Sequence, residues 1–197
     1  MQIKTIGRVH MGLTAFTIIF LQGCVDVATT GAQAIYNRHS ITKNVSDQYI
    51  TLQAYKALYI KTDQFKNTNI AISTYNGEVL LAGQVPLSWQ KNKAEQIVKQ
   101  VPEIKSIYNL VKVKSPSSSL TRISDAWITA KVKAKLMASD DVDATQIKVV
   151  TENGTVYLMG VLMPAQATAA VDLASNTDGV QSVVKIFSYM NITKTLT

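Results

Sequence analysis

The sequence holds a single cysteine, Cys24, among 197 residues. That excludes an intramolecular disulfide framework and any Cys-rich zinc site. Histidine is almost as scarce, with only His10 and His39. There is no Ser/His/Asp arrangement, paired-histidine metal motif or glycine-rich phosphate loop, so no catalytic residue, metal site or cofactor is expected. Residues 1–23 contain no acid, and the apolar run from Met11 to Leu21 is too short to cross a hydrocarbon core of about 30 Å. Charged residues make up only 17%, whereas the 47% hydrophobic content is ordinary for a folded chain and too high for a disordered one.

The acid-free start carries Lys4 and Arg8, then the short apolar run, then small Gly23, the pattern of a secretory signal. Leu21-Gln22-Gly23-Cys24 also resembles the lipobox of bacterial lipoproteins. That resemblance implies cleavage before Cys24 and acylation of its thiol and new amine. Val25 follows Cys24, where Asp would resemble an inner-membrane retention signal, so transfer to the outer membrane is expected. Loss of Lys4 and Arg8 lowers the net charge from +7 to +5. Residues 24–45 are small and polar and read as an acylated tether.

The remainder is one unit written twice, at a period of about 77 residues. Ser46-Asp47-Gln48-Tyr49-Ile50-Thr51 matches Ser124-Asp125-Ala126-Trp127-Ile128-Thr129, and Asn76-Gly77 through Gly83 matches Asn153-Gly154 through Gly160. Ile104-Lys105-Ser106-Ile107 matches Val180-Gln181-Ser182-Val183. The expected divisions are a signal at 1–23, the tether at 24–45, a first unit at 46–114, a Ser-rich linker at 115–121, a second unit at 122–190 and a tail at 191–197.

Each unit begins with a helix expected to be capped by its Ser or Asp. In the second, Ile128, Val132 and Leu136 recur every four residues and face the core. Alternating strands follow at Ile70–Ile72 and Ile147–Val149, then the Asn-Gly pairs of a two-residue hairpin. Return strands cover Val79–Val85 and Val156–Leu162, where Gly83 and Gly160 suggest a bulge or a close backbone approach. A second helix, near Ser88–Val101 and Ala165–Ser175, and a last strand, at Ile107–Val113 and Val183–Tyr189, complete an αββαβ order. The fold class is α+β, with a small mixed sheet in each unit and helices packed on one face. Units of about 70 residues are near the lower limit for an independent core, so the two are expected to pack on each other.

The αββαβ order, the Asn-Gly hairpin and the late Gly179-Val180 resemble the BON domain, a bacterial envelope module. A lipobox followed by two such units resembles the dual-BON lipoproteins of the outer membrane. The resemblance implies a non-enzymatic protein at the inner leaflet of that membrane. It further implies binding of anionic phospholipid such as phosphatidylglycerol through the first helix of the second unit, with a role in envelope integrity at division sites. The first unit departs from the pattern, having Glu103-Ile104 in place of Gly-Val.

The residues give their own reason to single out that helix. Trp127, Lys131 and Lys135 recur every four residues and form one stripe, about 100° around from the core stripe. Tryptophan is favoured at a membrane interface and lysines meet lipid phosphates. Ile128 is counted with this lipid-binding set, and Lys133 adds charge although it points about 200° from Lys131. The first unit is an internal control, with Tyr49, Gln53 and Ala57 at the positions of the stripe. It holds nine basic and five acidic residues, against six and seven in the second unit, so global charge points to the other half of the molecule. Two structural readings stand beside this one: lysines late in a helix favourably meet its dipole, and Trp127 packs in the core or between units.

Asp140-Asp141-Val142-Asp143 lacks the spacing of a calcium loop and reads as a solvated turn. Tyr55 and Tyr59, one helical turn apart, are expected in the core, with an inter-unit or partner surface as the alternative. The expected partner is an anionic phospholipid membrane, with neither nucleic acid nor a small-molecule substrate. The alternative class is an envelope protein-interaction module that uses the first unit or the surface between units.

Overall fold

The structure, a computed structural model, describes residues 45–189. The expected signal, Cys24, the tether through residue 44 and the tail from residue 190 lie outside the described residues.

In the first unit, helix α1 spans residues 45–55 and closes in a π turn, Lys56–Ile60. Strands β1, Asn69–Tyr75, and β2, Glu78–Val85, follow, then helix α2, Ser88–Val98, and strand β3, Ser106–Val113. The second unit repeats the order: helix α3, Ser119–Met137, strands β4, Ile147–Glu152, and β5, Thr155–Leu162, helix α4, Pro164–Ser175, and strand β6, Ser182–Tyr189. Each sheet is mixed, with the first two strands antiparallel and the third parallel to the second. The αββαβ order and the α+β class are therefore as the sequence indicates.

Both hairpins turn on the Asn-Gly pairs, Asn76 and Asn153 holding φ of 52° and 50° as a two-residue turn requires. Each turn is clamped by a carboxylate from the unit's first helix. Asp47 accepts hydrogen bonds from the backbone N–H of Asn76 (2.7 Å) and Gly77 (2.8 Å). Asp125 repeats this on Asn153 (2.7 Å) and Gly154 (2.8 Å). These aspartates are buried and serve the turns, which corrects the expectation that they cap helices. The cap of α3 is Ser118, whose Oγ accepts from the N–H of Thr121, so the helix starts five residues before Ser124, inside the Ser-rich stretch. Gly83 answers the question of bulge or close approach: a Cβ there would lie 2.1 Å from the carbonyl oxygen of Asn69 on β1.

Strand alternation sends side chains to two different cores. Val79, Leu81 and Val85 of β2 meet Ile50, Ala54 and Leu58 of α1, and Val156, Leu158 and Leu162 of β5 meet Ile128, Val132 and Leu136 of α3. The residues between them form a third core. Leu80 and Ala82 of the first sheet pack with Tyr157, Met159 and Ile186 of the second. The sheets therefore stack face to face with the helices outside, and burying each large side chain here contributes roughly 1.5–3 kcal/mol before entropy is counted. Polar bonds tie the same seam. Asn69 Nδ2 donates to Glu152 Oε2 (2.9 Å), Lys148 Nζ donates to the Thr74 carbonyl (2.9 Å) and Tyr75 donates to Gln146 Oε1 (3.3 Å).

Candidate functional site

Helix α3 buries Asp125, Ile128, Val132 and Leu136. At 100° per residue, its opposite side carries Leu120, Ile123, Trp127, Ala130, Ala134 and Met137, every one of them exposed. Trp127 is 68% exposed, which settles its place: it does not pack between the units. A helix with one buried apolar face needs polar residues on the other. Four large apolar side chains in a row on solvent are the type of patch that marks an interaction surface.

Lys131 and Lys135 flank this stripe on the side toward α4. Lys131 Nζ donates to the carbonyl of Asp178 and Lys135 Nζ to that of Asn176. These oxygens lie at and just past the end of α4, where carbonyls lack helical partners and the helix dipole is negative. The lysines thus neutralise that end. Each ammonium has three N–H donors, so the bond leaves two for an anion in front of the stripe.

Two members of the expected set fall elsewhere. Ile128 is only 4% exposed and sits in the core, packed over Gly179, so it supports the stripe from behind and cannot touch a flat surface. A Cβ on Gly179, whose φ is 94°, would come within 3.1 Å of the Ile128 side chain. Lys133 lies on the far flank of α3 and lines a groove of about 220 Å³ with Asp47, Tyr75 and Lys148. There it helps lower the pKa of Lys148, an effect due first to burial and opposed by Asp47.

Sequence reasoning missed Leu120, Ile123 and Met137. Their signal is an apolar 3–4 spacing out of phase with the core stripe, hidden because the Ser-rich linker pattern takes in Leu120 and the Ser124-Asp125 cap pattern leaves Ile123 ahead of the helix. The acidic turn is structural in part: Asp143 Oδ1 accepts from the N–H (3.0 Å) and hydroxyl (2.6 Å) of Thr145. Tyr59 packs on the first core and its hydroxyl accepts from the N–H of Ile70 (2.9 Å), while Tyr55 is half exposed, so the tyrosine pair divides between the two expectations. Among the described residues, no group of three His, Cys, Asp or Glu could hold a metal ion, and no helix is long and apolar enough to cross a membrane.

Tandem αββαβ units are what the BON domain matches here, over residues 46–115 and 124–191. The chain belongs to the BON-domain family. It is similar to the outer membrane lipoprotein DolP of Haemophilus influenzae, 36% identical over 178 residues that cover 88% of this chain and 92% of that protein. The 21 kDa hemolysin of Actinobacillus pleuropneumoniae is 40% identical over 126 residues, 64% of each chain. Osmotically-inducible protein Y of Escherichia coli is 29% identical, covering 79% of this chain and 78% of its own length. The chain is a lipid-anchored outer-membrane protein with two BON domains.

Proposed function

We propose that this is a non-enzymatic lipoprotein of the periplasmic face of the outer membrane, attached through acylated Cys24, that binds anionic phospholipid of the phosphatidylglycerol type through the outer face of α3. One observation carries the reading: the exposed Leu120/Ile123/Trp127/Met137 stripe with Lys131 and Lys135 along its edge. The apolar side chains enter the interface, tryptophan being suited to it by an apolar ring with a wettable N–H. The lysines meet phosphates at about 1 kcal/mol each near an anionic surface. Such a contact is weak alone, but the acyl anchor makes it effectively intramolecular. In this reading the protein supports envelope integrity, including at division sites.

The test is NMR shift mapping of the protein with phosphatidylglycerol micelles. Shifts should centre on residues 120–137 and vanish in Trp127→Glu, a substitution at an exposed position that leaves the fold intact. Perturbation confined to the first unit, or equal binding by the folded variant, would refute the site.

A further inference from the structure

The first unit has its own exposed helical stripe. On α1, Val45, Tyr49 and Leu52 lie opposite Ile50, Ala54 and Leu58 of the core, with Tyr55 beside them and Ile60 just beyond, and all five apolar side chains are about half exposed or more. Val45 and Tyr49 are the repeat partners of Ile123 and Trp127. α2 packs beside the end of α1 and adds exposed Trp89.

The stacking of the sheets fixes where this stripe points. With both sheets inside and the helices outside, the outer faces of α1 and α3 lie on opposite sides of the molecule. One flat membrane cannot cover both. Once α3 is against lipid, the α1 stripe faces away from it.

Charge selects the occupant. The helical layer of the first unit carries Lys56, Lys61, Lys91, Lys93 and Lys99. With Lys66, which pairs with Asp63 (3.0 Å), the layer has six lysines against the four acids Asp47, Asp63, Glu95 and Glu103, so it is net basic. A second copy would bring the same basic layer against itself, and like-charge contact is unfavourable. Tyrosine and tryptophan are the side chains most enriched at the energetic centre of protein interfaces.

We propose that the outer face of α1 docks a protein partner whose contact surface is apolar at its centre and acidic at its rim. The face is distinct from the lipid-contacting one, so the molecule joins the membrane on one side to that protein on the other.

The test places a photo-crosslinking benzophenone amino acid at Leu52 in cells, with the same probe at Ile123 as the comparison. The Leu52 probe should give an adduct with another protein, which is identified from the adduct and purified. Its affinity for the full lipoprotein should fall about tenfold in Leu52→Glu, fall further as salt rises and stay unchanged in Trp127→Glu. Tyr49→Ser serves as a second variant, and far-UV circular dichroism confirms that each is folded. The proposal is overturned by absence of a protein adduct at Leu52, by an adduct with a second copy or with residues 25–44, or by binding that ignores both Leu52→Glu and salt. It is also overturned if Leu52→Glu lowers vesicle binding as Trp127→Glu does, since the occupant is then a membrane. Loss of the lipid reading shows only in the vesicle arm, so the two failures are distinguishable.

Discussion

Substituting Lys131 and Lys135 separates the two roles the structure gives them. Each ammonium donates one hydrogen bond to a carbonyl at the end of α4. A cation at a helix C-terminus is worth about 0.3–1 kcal/mol, so the double variant Lys131→Gln/Lys135→Gln should lose roughly 0.6–2 kcal/mol of stability. Near an anionic bilayer each lysine adds about 1 kcal/mol, so the same variant should bind phosphatidylglycerol vesicles about thirtyfold more weakly at low salt. The assay is the fluorescence shift of Trp127 in a Trp89→Phe background, which leaves one tryptophan as reporter. Urea unfolding gives the stability term separately. Lys133→Gln is the control, because Lys133 lines the groove beside Lys148, away from the stripe, and should leave affinity within about twofold. Salt should shrink the gap between parent and double variant, as the Debye length falls to about 8 Å at 0.15 M. If the folded double variant binds as the parent does, or if Lys133→Gln weakens binding equally, the lysines act only as helix-end partners or as diffuse charge, and the reasoning fails.

Three further outcomes follow from the same geometry. Asp125→Ala removes the acceptor for two turn N–H groups and should cost about 3 kcal/mol in urea unfolding, with Asp47→Ala close to it; a loss below about 1 kcal/mol in both would mean that the clamps are dispensable. Glu152 at the seam has its pKa raised to about 7, first by burial, then by Asp125, against hydrogen bonds from Asn69 and Gln84. The folded state therefore holds a proton that the unfolded chain releases near 4.5, so stability falls as pH rises through roughly 4.5 to 7 and stays at the lower level above it. Glu152→Gln should remove that part of the slope in unfolding midpoints measured at pH 5 and pH 8, and a slope identical to the parent's would show that another group sets it. Gly179→Ala should destabilise by about 2–3 kcal/mol through a φ of 94° and contact with Ile128, whereas Glu103→Gly, at the equivalent position with a φ of 67°, should stabilise by about 0.5 kcal/mol; thermal midpoints moving the same way in both would contradict the strain argument.

Local chemistry was legible where it depends on near neighbours in the chain. The repeat, the strands and the Asn-Gly hairpins follow from alternation and turn residues alone. The helix start was misplaced because Asp125 looks like a cap in sequence, while its carboxylate in fact reaches a turn 28 residues on. A helix read from that cap leaves Leu120 in the linker and Ile123 outside, which hides most of the exposed stripe. The stacking of sheets also has a signature in the sequence. Val79 to Ala82 and Val156 to Met159 are unbroken runs of mostly apolar residues, the mark of a strand buried on both faces. Trp127 was legible as a candidate, but its exposure and the carbonyl partners of Lys131 and Lys135 depend on how α3 meets α4, which periodicity does not encode.

The layer order also bears on what sets orientation at the membrane. From Cys24 to Val45 the chain makes 21 steps, so the tether spans at most about 75 Å. An anchor attached through a segment of that length, as proposed, imposes no particular face on the bilayer. Orientation must then come from the difference between the two outer layers. The first unit is the more basic by count, and attraction to an anionic surface by charge alone would favour its helical face. On α3 the lysines stand at the edge of a four-residue apolar stripe that includes tryptophan, so insertion and charge act at one place; the α1 stripe does not compete where the proposed protein partner covers it. At half the usual value per large side chain, burying that stripe contributes about 3–6 kcal/mol, against about 3 kcal/mol for the three basic residues by which the first unit exceeds the second. The proposed orientation thus rests on apolar contact at α3, and it should persist at salt concentrations that abolish any preference set by charge.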